Sequence, residues 1–214
     1  PLCGDLLQPA ALAEAVRAVA PDVIVNAAAY TAVDKAESDV DAARTINADA
    51  VGVLAREAKA LGAWLVHYST DYVFDGSGTV PWQESDATGP LSVYGQTKLQ
   101  GEQAIAESGA KHLVFRTSWV YAARGGFFAK SMLRLAQERD KLAVIDDQWG
   151  APTGAELIAD VTAQALRTAM GAEQNLTGIY HLVASGETTW NRYAQFVLAQ
   201  ARQINPALGI TARE

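Results

Sequence analysis

Apolar and polar positions in this chain switch repeatedly between helical and strand spacing. Helical periodicity runs over residues 9–19, 40–61, 93–108, 127–139, 154–170 and 189–204. Short apolar runs between them, at 22–26, 63–67, 112–116, 142–145 and 178–183, read as buried strands. Pro9 sits where a first helical turn tolerates it, and Gly62 and Gly109 follow the ends of two helices. Strands separated by helices pair in parallel, so the pattern predicts an α/β fold with a doubly wound parallel sheet. Ligands of such sheets bind beyond the carboxyl ends of the strands. Asn26, Ser69, Thr117 and Ala184 fall there.

Chemistry gathers at one of these strand ends. Ser69-Thr70-Asp71-Tyr72-Val73-Phe74 follows the strand over 63–67, and Tyr94-Gly95-Gln96-Thr97-Lys98 opens the helix over 93–108. Positions i and i+4 share a helix face, so Tyr94 and Lys98 present a phenol and an ammonium together. The ammonium is expected to lower the phenol's pKa and make Tyr94 a proton donor to a carbonyl held by Thr70. Taken one at a time these residues have plainer readings, a solvated helix face for Tyr94 and Lys98 and a turn-capping hydroxyl for Thr70.

Composition narrows the class. Half of the 214 residues are apolar and 19% are charged, which describes a globular chain. A net charge of −7 argues against nucleic acid or an anionic membrane as the main partner. Cys3 is the only cysteine, so no intrachain disulfide is possible. With no leader-like segment and no long apolar run, a cytoplasmic protein is expected. His67, His112 and His181 lie in strand patterns and read as core or strand-end histidines, with no zinc spacing.

Five stretches together are similar to the extended short-chain dehydrogenase/reductase family. They are Val25 through Asp34, Ser69 through Gly76, Val93 through Glu102, Arg116 through Tyr121, and Asp147 through Thr153. The resemblance implies a Rossmann-like NAD(P)-binding domain over 1–214, with parts of a smaller substrate lobe from about 147 onward. It implies hydride transfer from NADPH or NADH to the 4-keto group of a dTDP-deoxysugar, giving dTDP-L-rhamnose. Thr70, Tyr94 and Lys98 would be catalytic. Asp5, Leu6, Ala29, Tyr30 and Thr31, with Tyr94 and Lys98, would line the cofactor. Thr70, Asp71 and Trp119 would bind the substrate. Asn47 resembles an Asn that supports a proton relay. Family dehydratases carry two acids after the Thr; here the pair is Asp71-Tyr72, which disfavours water elimination. Some relatives hold Mg2+ at a homodimer contact, and Glu156 is the candidate ligand, although a carboxylate in a first helical turn needs no metal.

No G-x-x-G-x-x-G turn occurs in the chain. The resemblance places Pro1 past the family's second strand and Glu214 short of its last segment. The expectation is a chain cut at both ends that binds NAD(P)H weakly, because pyrophosphate needs the backbone N–H groups of that turn. Two alternatives stay open: a nucleotide-sugar epimerase sharing the Thr, Tyr and Lys, and a non-catalytic subunit resembling the regulatory subunit of methionine adenosyltransferase.

Overall fold

The computed structural model describes residues 4–139, 141–205 and 211–213. Cys3 lies outside them. The chain divides into two compact units: Pro1–Thr117 with Thr162–Leu182, and Ser118–Val161 with Val183–Glu214.

The first unit is built on four parallel strands: β1 (Val23–Asn26), β2 (Trp64–Thr70), β3 (Lys111–Thr117) and β8 (Gly178–His181), adjacent in that order. The register pairs Asn26 with His67, Thr70 with Thr117, and Arg116 with His181, which brings polar residues from all four strands to the carboxyl ends. Helices α1 (Pro9–Val19), α2 (Val33–Ala36), α3 (Val40–Arg44), α4 (Ala50–Leu61) and α5 (Val93–Ser108) also belong to it. The core consists of Leu12 from α1, Val51, Leu54 and Ala58 from α4, Ile105 from α5, and Leu65 and Val114 from the sheet. Among the described residues β1 is an edge strand, and its Val25 is half exposed.

Local signals explain the element ends. The Ser92 hydroxyl caps α5 by accepting from Gly95 N–H at 3.1 Å. Gly62 and Gly109 take the left-handed conformation just past α4 and α5, as their positions in the sequence predict. The helix expected over 40–61 differs in its middle. Between α3 and α4 it opens into a π turn at Thr45–Asp49, centred on the buried Asn47. Such turns insert a residue and re-aim side chains. Here the turn places the Asn47 amide where it serves another segment.

The second unit holds β4 (Val120–Tyr121), α6 (Phe128–Glu138), β5 (Lys141–Ala143), β6 (Trp149–Gly150), β7 (Thr153–Gly154), the start of α7 (Ala155–Gly171), β9 (Thr188–Thr189), α8 (Trp190–Ile204) and β10 (Thr211–Arg213). Met132, Ala136, Leu142, Ala194 and Leu198 form its core. The strand expected over 142–145 forms as β5 but pairs in parallel with β10 instead of joining the four-stranded sheet. Leu142 explains this, since it packs against α6 and α8 of its own unit. Among the described residues, no helix is long and apolar enough to cross a membrane.

Candidate active site

Thr70 ends β2 and caps the 3₁₀ turn Asp71–Val73 that follows it. Its hydroxyl accepts from Tyr72 N–H at 3.2 Å and donates to Asp71 Oδ1 at 3.0 Å. The Asp71 carboxyl is pushed up to about 6, chiefly by burial, and its bonds to Thr70 and the backbone only partly offset this. Beside this turn the first residues of α5 bring in Tyr94, whose ring meets Tyr72 edge-on at 5.6 Å.

The phenol of Tyr94 is not lowered. It is pushed up to about 12, first by burial, with Asp71 and Tyr72 adding to the rise and the neighbouring Thr70 hydroxyl acting against it. The expectation of a depressed phenol fails for a geometric reason. The Lys98 side chain folds under α5 toward β2, donating to the Tyr68 carbonyl at 2.6 Å and lying 3.1 Å from His67 Nε2. Lys98 is 1% exposed, and that burial brings its amine down to about 8, with Glu102 pulling it upward. The corrected picture still suits reduction. A proton donor to a developing alkoxide must be protonated at neutral pH, and a raised phenol is fully so.

The loop after β1 forms the neighbouring wall. Ala27, Ala28 and Thr31 are exposed and Ala29 is half-buried, so small side chains leave the backbone open to a ligand. Tyr30 is held at both backbone groups by Asn47: its N–H donates to Asn47 Oδ1 at 2.8 Å, and its carbonyl accepts from Asn47 Nδ2 at 3.1 Å. The same amide donates to Thr97 Oγ1 at 3.2 Å, tying the loop to α5. The Tyr30 hydroxyl donates to Asp39. Asp5 accepts from Leu7 N–H and Gln8 Nε2 at the entry to α1, and Leu6 packs on the first unit's core. These residues, with Lys98 and Tyr94, would hold a nicotinamide cofactor. The open alanine loop and the buried Thr117 hydroxyl, which has no protein partner, fit such a group.

Trp119 belongs to the second unit. It takes a left-handed backbone (φ 46°), stacks on Trp190 at 3.6 Å, and lines a cavity of about 200 Å³ with Tyr121, Phe127, Phe128 and Tyr193. Glu156 is exposed in the first turn of α7, where a carboxylate complements the helix terminus. Among the described residues no three His, Cys, Asp or Glu side chains gather as a metal site.

The sequence left two sets of contacts unread. His67 is the core histidine its strand pattern predicts, fully buried, and its contacts with Asn26 and Lys98 are the first. Its signal was register: Asn26 and His67 end neighbouring strand patterns. The other is a buried bidentate pair, Arg116 Nε to Glu102 Oε1 at 3.0 Å and Nη2 to Oε2 at 2.7 Å. Its signal was Glu102, one turn beyond Lys98 on the same helix face.

A family model described as the RmlD substrate binding domain matches residues 3–212. The dTDP-4-dehydrorhamnose reductase of Escherichia coli (strain K12) is 59% identical over 208 residues, 97% of this chain and 69% of that protein. The crystal structure of dTDP-4-dehydrorhamnose reductase from Bacillus anthracis, in complex with NADP, superposes with a TM-score of 0.86 at 32% identity. It covers 99% of this chain and 72% of the other. A dTDP-4-dehydrorhamnose reductase from Clostridium acetobutylicum gives 0.88 at 33% identity, covering 98% and 70%.

Proposed function

The chain belongs to the RmlD family of dTDP-4-dehydrorhamnose reductases, and on that premise we propose that it reduces the 4-keto group of dTDP-4-dehydro-L-rhamnose to give dTDP-L-rhamnose, in the cytoplasm. NADPH or NADH, when bound, supplies the hydride. Tyr94 Oη gives its proton to the ketone oxygen as the carbon is reduced, so the alcohol forms with no net charge left on the sugar. The Thr70 hydroxyl orients the carbonyl from the end of β2. Lys98, anchored on Tyr68 and His67, keeps an N–H for the ribose of the cofactor. Asp71 accepts from a sugar hydroxyl, and the absence of a second acid at position 72 keeps the site from eliminating water.

The observation that carries this reading is the start of α5 seated on the turn that Thr70 caps at the carboxyl end of β2, with the Tyr94 ring edge-on to Tyr72 at 5.6 Å. The test is Tyr94→Phe. With NADPH and the 4-ketosugar, turnover should fall by ~10²–10⁴, the usual worth of a general acid, while the circular dichroism spectrum stays unchanged. A folded variant with near-normal turnover would remove Tyr94 from the mechanism.

A further inference from the structure

A line of polar contacts inside the first unit joins the loop after β1 to the lysine of the site. Ala28 N–H donates to Asn26 Oδ1 at 3.3 Å. Asn26 Nδ2 lies 3.0 Å from His67 Nδ1, and His67 Nε2 lies 3.1 Å from Lys98 Nζ. The lysine then donates to the Tyr68 carbonyl at 2.6 Å. Every side chain in the line is buried: Asn26 is 5% exposed, His67 0% and Lys98 1%. Asn26 and His67 are direct register partners, so the sheet itself sets their spacing.

The chemistry of the ring makes this more than packing. Burial, reinforced by the Lys98 charge, pushes His67 well below the ordinary histidine range, so the ring is neutral. A neutral imidazole offers one donor and one acceptor, whereas an amide nitrogen and an ammonium are both donors. Two proton arrangements satisfy the ring. In one, the ammonium donates to Nε2 and the Asn26 amide turns to accept from Nδ1–H. In the other, an uncharged Lys98 amine accepts from Nε2–H and the amide stays as it stands. Both keep a hydrogen bond between His67 Nε2 and Lys98 Nζ. A buried lysine without that partner would leave a polar head unsatisfied, which is costly.

We propose that His67 is a positioning residue of this site: it pins Lys98 Nζ against β2, so that the lysine's free N–H is fixed for the ligand. The proposal rests on Lys98 as the cofactor anchor. The other charged group drawing on Lys98 is Glu102, one turn along α5 and itself held by Arg116 of β3.

The test compares three variants of the full chain. His67→Gln places an amide near the Nε2 position, His67→Asn near the Nδ1 position, and His67→Leu removes both. NADPH affinity is read by fluorescence titration, and kcat and KM with the ketosugar are measured alongside. The Lys98 titration is followed by ¹³Cε-lysine NMR and assigned with Lys98→Met. Pinning predicts that Leu and Asn weaken NADPH binding and kcat by ~10–10²-fold, the cost of about an ångström of misplacement, and that Gln restores most of both. It also predicts that the Lys98 midpoint moves in Leu and Asn but not in Gln, down if the ammonium donates to Nε2 and up if the amine accepts from it. If Leu does not fold, the contrast between Gln and Asn decides. Equal NADPH affinity and an unmoved Lys98 midpoint in folded Asn would overturn the proposal. Should the wild-type chain fail to reduce the ketosugar, the proposed function is lost, and the Lys98 titration still reads the His67 contact by itself.

Discussion

A β-carbon on Gly95 would stand 2.3 Å from the carbonyl oxygen of Tyr72. The helix carrying Tyr94 and Lys98 thus rests directly on the turn that Thr70 caps, backbone against backbone. This contact sets how far the Tyr94 phenol sits from the Thr70 hydroxyl.

Gly95→Ala should therefore be harmful although alanine is the better helix former by about 1 kcal/mol. The added methyl must displace either the 3₁₀ turn or the start of α5, a strain of ~1–3 kcal/mol at a packed position. A shift of about an ångström between the two hydroxyls should also cut kcat by roughly 10². Gly52→Ala in α4 is the control, because its β-carbon would meet only the Arg56 guanidinium at 3.3 Å and the Ala104 β-carbon at 3.4 Å. Thermal melts and turnover should separate the two; equal behaviour would mean that the close approach does not matter.

Strand and helix periods carried most of the first unit. The 93–108 helix is read with the bounds it has, because Ser92 and Gly109 are strong local stops. The π turn was not legible, since a single inserted residue leaves the apolar pattern of 40–61 nearly intact. It shows only as an Asn inside a helix, a residue that competes for backbone bonds and wants a reason to be there. The same limit explains the Tyr94 error. Spacing of i and i+4 gives a shared face, but it does not say that a lysine four carbons long will bend away to a histidine and a carbonyl on the next strand. Burial then governs the phenol in place of the missing cation. Pairing between β5 and β10 was hidden because neighbours distant in sequence leave no local mark.

Asn47 should prove structural for the loop after β1. It satisfies both backbone groups of Tyr30 and reaches Thr97, with 1% of its surface exposed. Asn47→Ala leaves the Tyr30 N–H without its acceptor, at a cost of ~1–3 kcal/mol for an unmet buried donor. Urea unfolding should show that loss. Hydrogen exchange at Tyr30 should speed up beyond the global change, and an unaltered Tyr30 amide would contradict the assignment.

The Glu102–Arg116 pair predicts an asymmetry between single and double replacement. Its side chains are 2% and 5% exposed, and the guanidinium also lies over the Phe74 ring at 5.0 Å. Removing one partner strands a buried charge, so Glu102→Leu or Arg116→Met alone should lose ~3–5 kcal/mol. Replacing both leaves no charge to strand and should recover most of that loss. A denaturant series on the three variants checks it, and additive losses in the double variant would mean that Glu102 and Arg116 are not coupled and would overturn the prediction.

Asp71 should leave a signature in the pH dependence of stability. Its carboxyl rises from an ordinary 3.8 to about 6 in the folded chain, mainly through burial. A carboxyl whose folded pKa lies above its unfolded one holds its proton more tightly when folded. Its contribution is therefore fully present below pH about 4 and is lost as the pH climbs through about 6. Other carboxylates behave oppositely, Glu57 for example, which its bond from Arg17 lowers. The effect must be isolated by difference. Asp71→Asn cannot titrate, so the stability of the wild type minus that of the variant should fall by ~1–3 kcal/mol between pH 4 and pH 7. Guanidinium midpoints taken at half-unit steps across that window would show it. A difference that stays flat, or that grows with pH, would mean that Asp71 is ionised in the folded protein well below pH 6, held so by the Thr70 hydroxyl and the amides of the turn.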